Sequence, residues 1–316
     1  MQVLSAFVSI LMFMFIVSVS CTKHIVLKSD TLCPPEYPEH GIPIYKGDID
    51  MMQFPENLEH LEADYFLWSA LGYGLDYVAP ELVMGGPLPI GAQKANLDFL
   101  TRKMIEEFGY QEVGHLRALK TTFGGFPRPL MDLSAKNFAK VFDQAFGYKL
   151  VPPFDPYRNS LSFMLASYVI PYVGLLGYVG TNPFLIGARF TLSGADFGRA
   201  IGGGSRARCN YKTLPLRTSG EVVHPYNHTV AEFTIQISKL RNRLARCGIR
   251  DEGIIVPPWL GAENRTESNV LSADYNSLSY GRSPREVLRM VYGTGNEHVP
   301  SAFFPKGGNG RIAKSF

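Results

Sequence analysis

Between Arg158 and Arg189 the chain carries no charged residue. Residues 160–180 are apolar, with Tyr168, Tyr172, Tyr178, Gly174, Gly177, Gly180 and Pro171 inside the run. A segment of this kind has two possible homes, the hydrocarbon of a bilayer or the interior of a helical protein. No basic cluster flanks it to set an orientation across a membrane. Small residues and tyrosines suit close packing against protein. The reading adopted here is a helix buried inside a bundle, with a membrane-spanning helix as the alternative.

A buried helix needs amphipathic neighbours, and the sequence supplies them. Residues 55–78 read as a long helix whose apolar face holds Leu58, Leu61, Tyr65, Leu67, Trp68 and Leu71. Ala79-Pro80 would stop it. Residues 92–122 read as a second, and 134–146 as a third with Ser134 as N-cap. Thr229 and Glu232 form a capping box that opens a helix over 229–247, with Gly248 expected to end it. Ser283, Pro284 and Glu286 open a further short helix that Gly293 ends. Few segments alternate with period two, so the class is all-α and the architecture a helical bundle. Lys plus Arg number 31 and Asp plus Glu 28, a net +3 that gives no footprint for nucleic acid.

Common catalytic signatures are missing: no Cys-x-x-Cys, His-Glu-x-x-His or Gly-x-Ser-x-Gly occurs, and Gly308-Asn309-Gly310-Arg311 lacks phosphate-loop spacing. One pattern stands out. Glu112 and His115 lie at i and i+3, on a face that also carries Phe108, Leu116 and Leu119, so they point inward. Glu59 and Glu62 have the same spacing on or beside the apolar face of the first helix. A buried carboxylate needs a metal, a cation or a proton. Glu59, Glu62, Glu112 and His115 are therefore the candidate metal ligands. The competing reading pairs Glu112 and His115 with each other or with a tyrosine.

Several long strings resemble the plant desiccation-related proteins, a branch of the ferritin-like superfamily. They are Phe54-Pro-Glu-Asn-Leu-Glu-His-Leu-Glu62, Phe66-Leu-Trp-Ser-Ala-Leu-Gly-Tyr-Gly-Leu75, Gly91-Ala-Gln-Lys-Ala-Asn-Leu97 and Glu106-Glu-Phe-Gly-Tyr-Gln-Glu-Val-Gly-His-Leu-Arg117. Gly124-Gly-Phe-Pro-Arg128, Tyr168-Val-Ile-Pro-Tyr-Val-Gly174, Glu297-His-Val-Pro300 and Pro305-Lys-Gly-Gly308 also match. The resemblance runs from about residue 48 to 316 with one gap. It implies a ferritin-like four-helix bundle over 48–250, with extra short helices, and an irregular C-terminal extension over 251–316 that packs on it. It also implies a protective or structural role in water loss, without an enzymatic activity or cofactor. The alternative is a di-metal carboxylate oxidoreductase or metal-binding protein that uses iron or manganese. Against a full di-metal cage, Pro171 stands where metal-binding relatives place a third-helix Glu.

The gap covers about 194–219, where the family has its fourth helix. Three consecutive glycines and a basic run make a poor helix there. Residues 199–212 can be encoded so that reading one nucleotide later gives Gly-Leu-Leu-Gly-Val-Glu-Ala-Gly-Gln-Asp-Ala-Ile-Ile, the family's own helix. The expectation is a frame-shifted fourth helix, disrupted around 190–220. A genuine divergent loop is the alternative.

The N-terminus reads as an export signal over 1–20, cleaved after Ser20, followed by an irregular Pro-rich extension over 21–47. Export would put Cys21 and Cys33, a possible disulfide pair, in an oxidising compartment. Asn227 and Asn264 would become glycosylation acceptors. The expected location is extracellular, in the apoplast or cell wall, with no membrane association after signal removal. The expected partners are of the cell wall or of stress, with no nucleic acid among them.

Overall fold

The structure is a computed structural model that describes residues 45–185, 216–250, 253–270 and 272–316. Residues 42–316 form one compact unit. No boundary falls near 250, so the bundle and the C-terminal segment share one unit. The expected export signal, Cys21, Cys33, Cys209 and nearly all of the gap at 194–219 lie outside the described residues.

The described residues are helical, with isolated bridges and no strand. Helix α1, Lys46–Leu71, is the hub. It begins before the Pro55 that the sequence suggested as its start, and Pro55 sits inside it. A mid-helix proline removes one hydrogen bond, and here nearly complete burial of the surrounding turns holds the helix together. It also ends earlier than expected. Gly72 takes the left-handed conformation at φ 88° and closes it, and Leu75–Val78 forms a separate turn. Helix α2, Phe99–Phe123, starts at the Asp98 cap rather than at residue 92, because the Asp98 carboxylate accepts from Thr101 N. Helix α3, Ala135–Phe146, has Ser134 as N-cap.

The uncharged run folds as two helices, α4 over Ser160–Ser167 and α5 over Pro171–Thr181, broken before Pro171. By length and composition the whole run could cross a membrane, yet its most apolar stretch is 83% buried inside the fold. Helix α6, Val230–Ala245, has both halves of the Thr229/Glu232 capping box, but Arg246 at φ 63° ends it, ahead of Gly248. Helix α7, Pro284–Val291, has the Ser283/Glu286 box. The short helix α8 is Arg311–Lys314.

Helix α1 packs along α2 and against α5, while α6 packs on α3, α4 and α7. From the C-terminal segment, α7 also reaches α5 and α8 reaches α1. Tyr65 stacks on Phe163 at 4.8 Å between ring centres, joining α1 to α4 in the core.

Candidate metal centre

Helices α1 and α2 approach closely because Gly109 has no side chain. A Cβ there would lie 2.8 Å from Leu67 Cδ2. That approach brings Glu59 of α1 beside Glu112 and His115 of α2, all three buried. His115 Nδ1 lies 2.8 Å from Glu59 Oε2 and 2.7 Å from Glu112 Oε2. The ligand atoms of the three residues all lie within 4.8 Å of one another. Helix α5 closes the other side, where the Tyr178 hydroxyl donates to the Glu59 carboxylate.

Glu62 is buried but does not join this group of ligand atoms. Its Oε1 faces Gly174 of α5, where an added Cβ would lie at 2.6 Å. The third helix thus offers a gap that admits a first-helix carboxylate. Its own residues add no carboxylate of their own.

Burial opposes every charge in the cluster, and the cluster resolves this internally. Burial would raise the Glu59 carboxyl, but His115 and hydrogen bonds from His115, Glu112 and Tyr178 hold it low. Burial raises Glu112, and the neighbouring Glu59 charge adds to the rise against the pull of His115. Burial would lower His115, but the two carboxylates lift it well above an ordinary imidazole. Glu59 is therefore ionised and His115 is a cation, and below pH 7 Glu112 holds a proton, which makes the trio neutral.

The same three groups fit a single divalent ion. Two carboxylates already converge on one imidazole nitrogen, and an ion replacing the Nδ1 proton would find all three donors aimed at it. His115 Nε2 is buried with no hydrogen-bond partner among the described residues. A second ion would need more carboxylates than the described residues bring to this point.

Among the sequence candidates, Glu59, Glu112 and His115 meet, and Glu62 stands beside them. Asn227 and Asn264 are exposed. Cys247 is exposed and in no disulfide with a described residue. Sequence reasoning missed Tyr178. Its only signal was a position one turn beyond Gly174 in a run where every neighbour is apolar. It also missed Glu56 and His60, one helical turn apart and buried beside Glu59. The Glu56 carboxyl is pushed up to about 8 by burial, and His60 is pushed down to about 3 by burial and by Arg128.

With this geometry in place, the likenesses to known proteins take on meaning. The family model for a ferritin-like domain matches residues 47–193. It ends where the sequence resemblance breaks. The chain is 63% identical over 273 residues to a protein of Nesocodon mauritianus named ferritin-like catalase Nec2, covering 86% of each chain. It is 48% identical over 270 residues to desiccation-related protein PCC13-62 of Craterostigma plantagineum, covering 85% of each chain. No solved structure matches. The chain belongs to the plant desiccation-related family of ferritin-like proteins.

Proposed function

We propose that this chain is a stress-related ferritin-like protein whose centre at Glu59, Glu112 and His115 holds one redox-active divalent ion, iron or manganese, and consumes hydrogen peroxide. The observation that carries the reading is the convergence of both carboxylates on His115 Nδ1 inside a dry core. The name of the 63% identical relative, a catalase, supplies the reaction class. A bound ion of this kind would pass electrons from one peroxide molecule to another, so that two molecules give one dioxygen and two waters.

The chain's own residues have separate tasks. Glu59 and Glu112 supply negative charge, and Tyr178 fixes the orientation of Glu59. Glu112, the carboxyl that burial and Glu59 push up, gives up its proton when the ion enters. Leu58 of α1, Ile105 and Leu116 of α2 and Val173 of α5 are buried on the same helices and limit bulk water. The setting we propose is outside the cell, after export, with sugar on Asn227 and Asn264.

A second reading is protective and non-enzymatic, and the internal charge balance of the trio favours it. In that case the trio is a hydrogen-bonded strut between α1 and α2. An oxygen electrode separates the two. Protein loaded with iron or manganese should evolve one dioxygen per two peroxides. Glu112→Gln and His115→Ala should lower that rate at least a hundredfold, and Tyr178→Phe should lower it while keeping the ion. Oxygen evolution no faster than from the free ion would overturn the catalytic reading.

A further inference from the structure

Away from the metal centre, a hydrogen bond and a longer polar contact link three side chains at the surface. Helix α3 ends at Gly147, whose left-handed φ of 79° turns the backbone and presents Tyr148 beside the start of α6. The Tyr148 hydroxyl lies 2.6 Å from His228 Nε2. His228 Nδ1 lies 3.4 Å from Glu232 Oε2. That same oxygen accepts from Thr229 N at 2.7 Å in the capping box, so the carboxylate is held in place. The His228 ring also rests on Phe146 at 4.8 Å between centres.

The order of these groups fixes the protons. An ionised Glu232 facing Nδ1 can only accept, which favours the tautomer with the hydrogen on Nδ1. Nε2 then keeps its lone pair and accepts from the phenol. A phenol with a base on its O–H loses an electron more readily, because the proton moves to the base as the electron leaves. The charged phenol cation is never formed. Tyr148 is also 52% exposed, so its ring can be reached.

We propose that Tyr148 is an oxidative coupling site, at which a one-electron oxidant joins the protein to another phenol. The oxidant takes one electron from Tyr148 and is reduced, while the hydroxyl proton passes to His228 Nε2. The resulting phenoxyl radical meets a second phenoxyl radical, formed in the same way from the partner. One carbon–carbon bond forms between ring carbons next to the two oxygens. The hydrogen on each bonding carbon then moves to its own oxygen and restores both rings. The two phenols lose two electrons and two protons in all. The partner is recognised only as a phenol, either a small free one or the tyrosine of a second copy.

The molecule contains its own controls. Tyr77 is 74% exposed and Tyr275 is 56% exposed, more than Tyr148, and neither hydroxyl contacts a histidine among the described residues. The full-length protein is treated with light-generated ruthenium(III) tris-bipyridyl, which needs no peroxide and so does not depend on the metal centre. One arm includes tyramine, and the other contains protein alone. Peptide mass spectrometry then ranks the tyrosines. Tyr148 should carry tyramine several-fold ahead of Tyr77 and Tyr275, and in the second arm it should be the residue in cross-linked dimers. His228→Gln keeps a hydrogen-bond acceptor but not a base, and should bring Tyr148 down to the level of Tyr77. The proposal is overturned if Tyr148 ranks at or below the two controls, or if His228→Gln leaves its rank unchanged. Tyramine labelling without dimers retains the site and assigns small phenols as its partners.

Discussion

At His115 one nitrogen faces two carboxylates, and this has a consequence for metal binding. A divalent ion entering the trio must displace the Nδ1 proton and the proton of Glu112. Two positive charges replace two, and the buried site stays neutral. Affinity should therefore rise with pH, by roughly a hundredfold per unit while both protons are being released. Well below pH 7, calorimetry in buffers of different ionisation heat should count two protons released per ion, and a count of zero would contradict the arrangement. His60 governs stability in acid. Its folded value of about 3 lies below the ordinary 6.5 because of burial first and Arg128 second. The unfolded chain takes up the proton first, so this contribution is present above pH 6.5 and is lost as pH falls toward 3. Urea midpoints compared at pH 7 and pH 4 should show a smaller loss for His60→Gln than for the native chain. The trio was legible in the sequence because i,i+3 spacing on an apolar face specifies both neighbours and direction. Tyr178 was not, because a polar tip inside an apolar run leaves no periodic trace. Glu56 and His60 were hidden for a different reason. Nearly the whole of α1 is buried, so its polar positions do not mark a solvent face.

Helix α1 buries an aspartate that a buried arginine answers. Asp64 meets Arg128 at 2.8 Å, and Arg128 also reaches Asp76 at 2.7 Å. Arg128 is fully buried, with its Nε donating to Pro87 O at 2.8 Å. Removing it would leave Asp64 buried without its cation. Arg128→Met should cost about 3–5 kcal/mol, read as a fall in the denaturant midpoint. Asp64→Asn should cost less, since Arg128 keeps Asp76. Helix α5 depends on a missing side chain. A Cβ on Gly180 would lie 2.2 Å from the Arg282 carbonyl oxygen, a backbone atom with no rotamer to change. Gly180→Ala should cost about 1–3 kcal/mol, and an unchanged melting temperature would contradict the close packing. Capping chemistry was readable at Ser134, Thr229 and Ser283, because the cap is a local hydrogen bond. The start of α1 was not, because burial carries the helix through Pro55, whereas the break before Pro171 falls where the proline itself puts it.

Across the whole molecule, the helical class was legible from periodicity and the family from long strings. The relatives span 86% and 85% of the chain, and the ferritin-like match ends at residue 193. The expected frame-shifted fourth helix lies mostly in residues 186–215, outside the described ones. Restoring the shifted reading over 199–212 should raise the melting temperature of the purified protein, and an equal or lower value would favour a genuine divergent loop. The larger question is whether the core of the protein holds an ion. The most direct measurement is elemental analysis of the purified chain beside Glu59→Gln, Glu112→Gln and His115→Ala. The account predicts close to one iron or manganese per native chain, and loss of that ion in each variant with the helical spectrum retained. A native chain free of metal after loading, or variants that hold as much as the native chain, would contradict it.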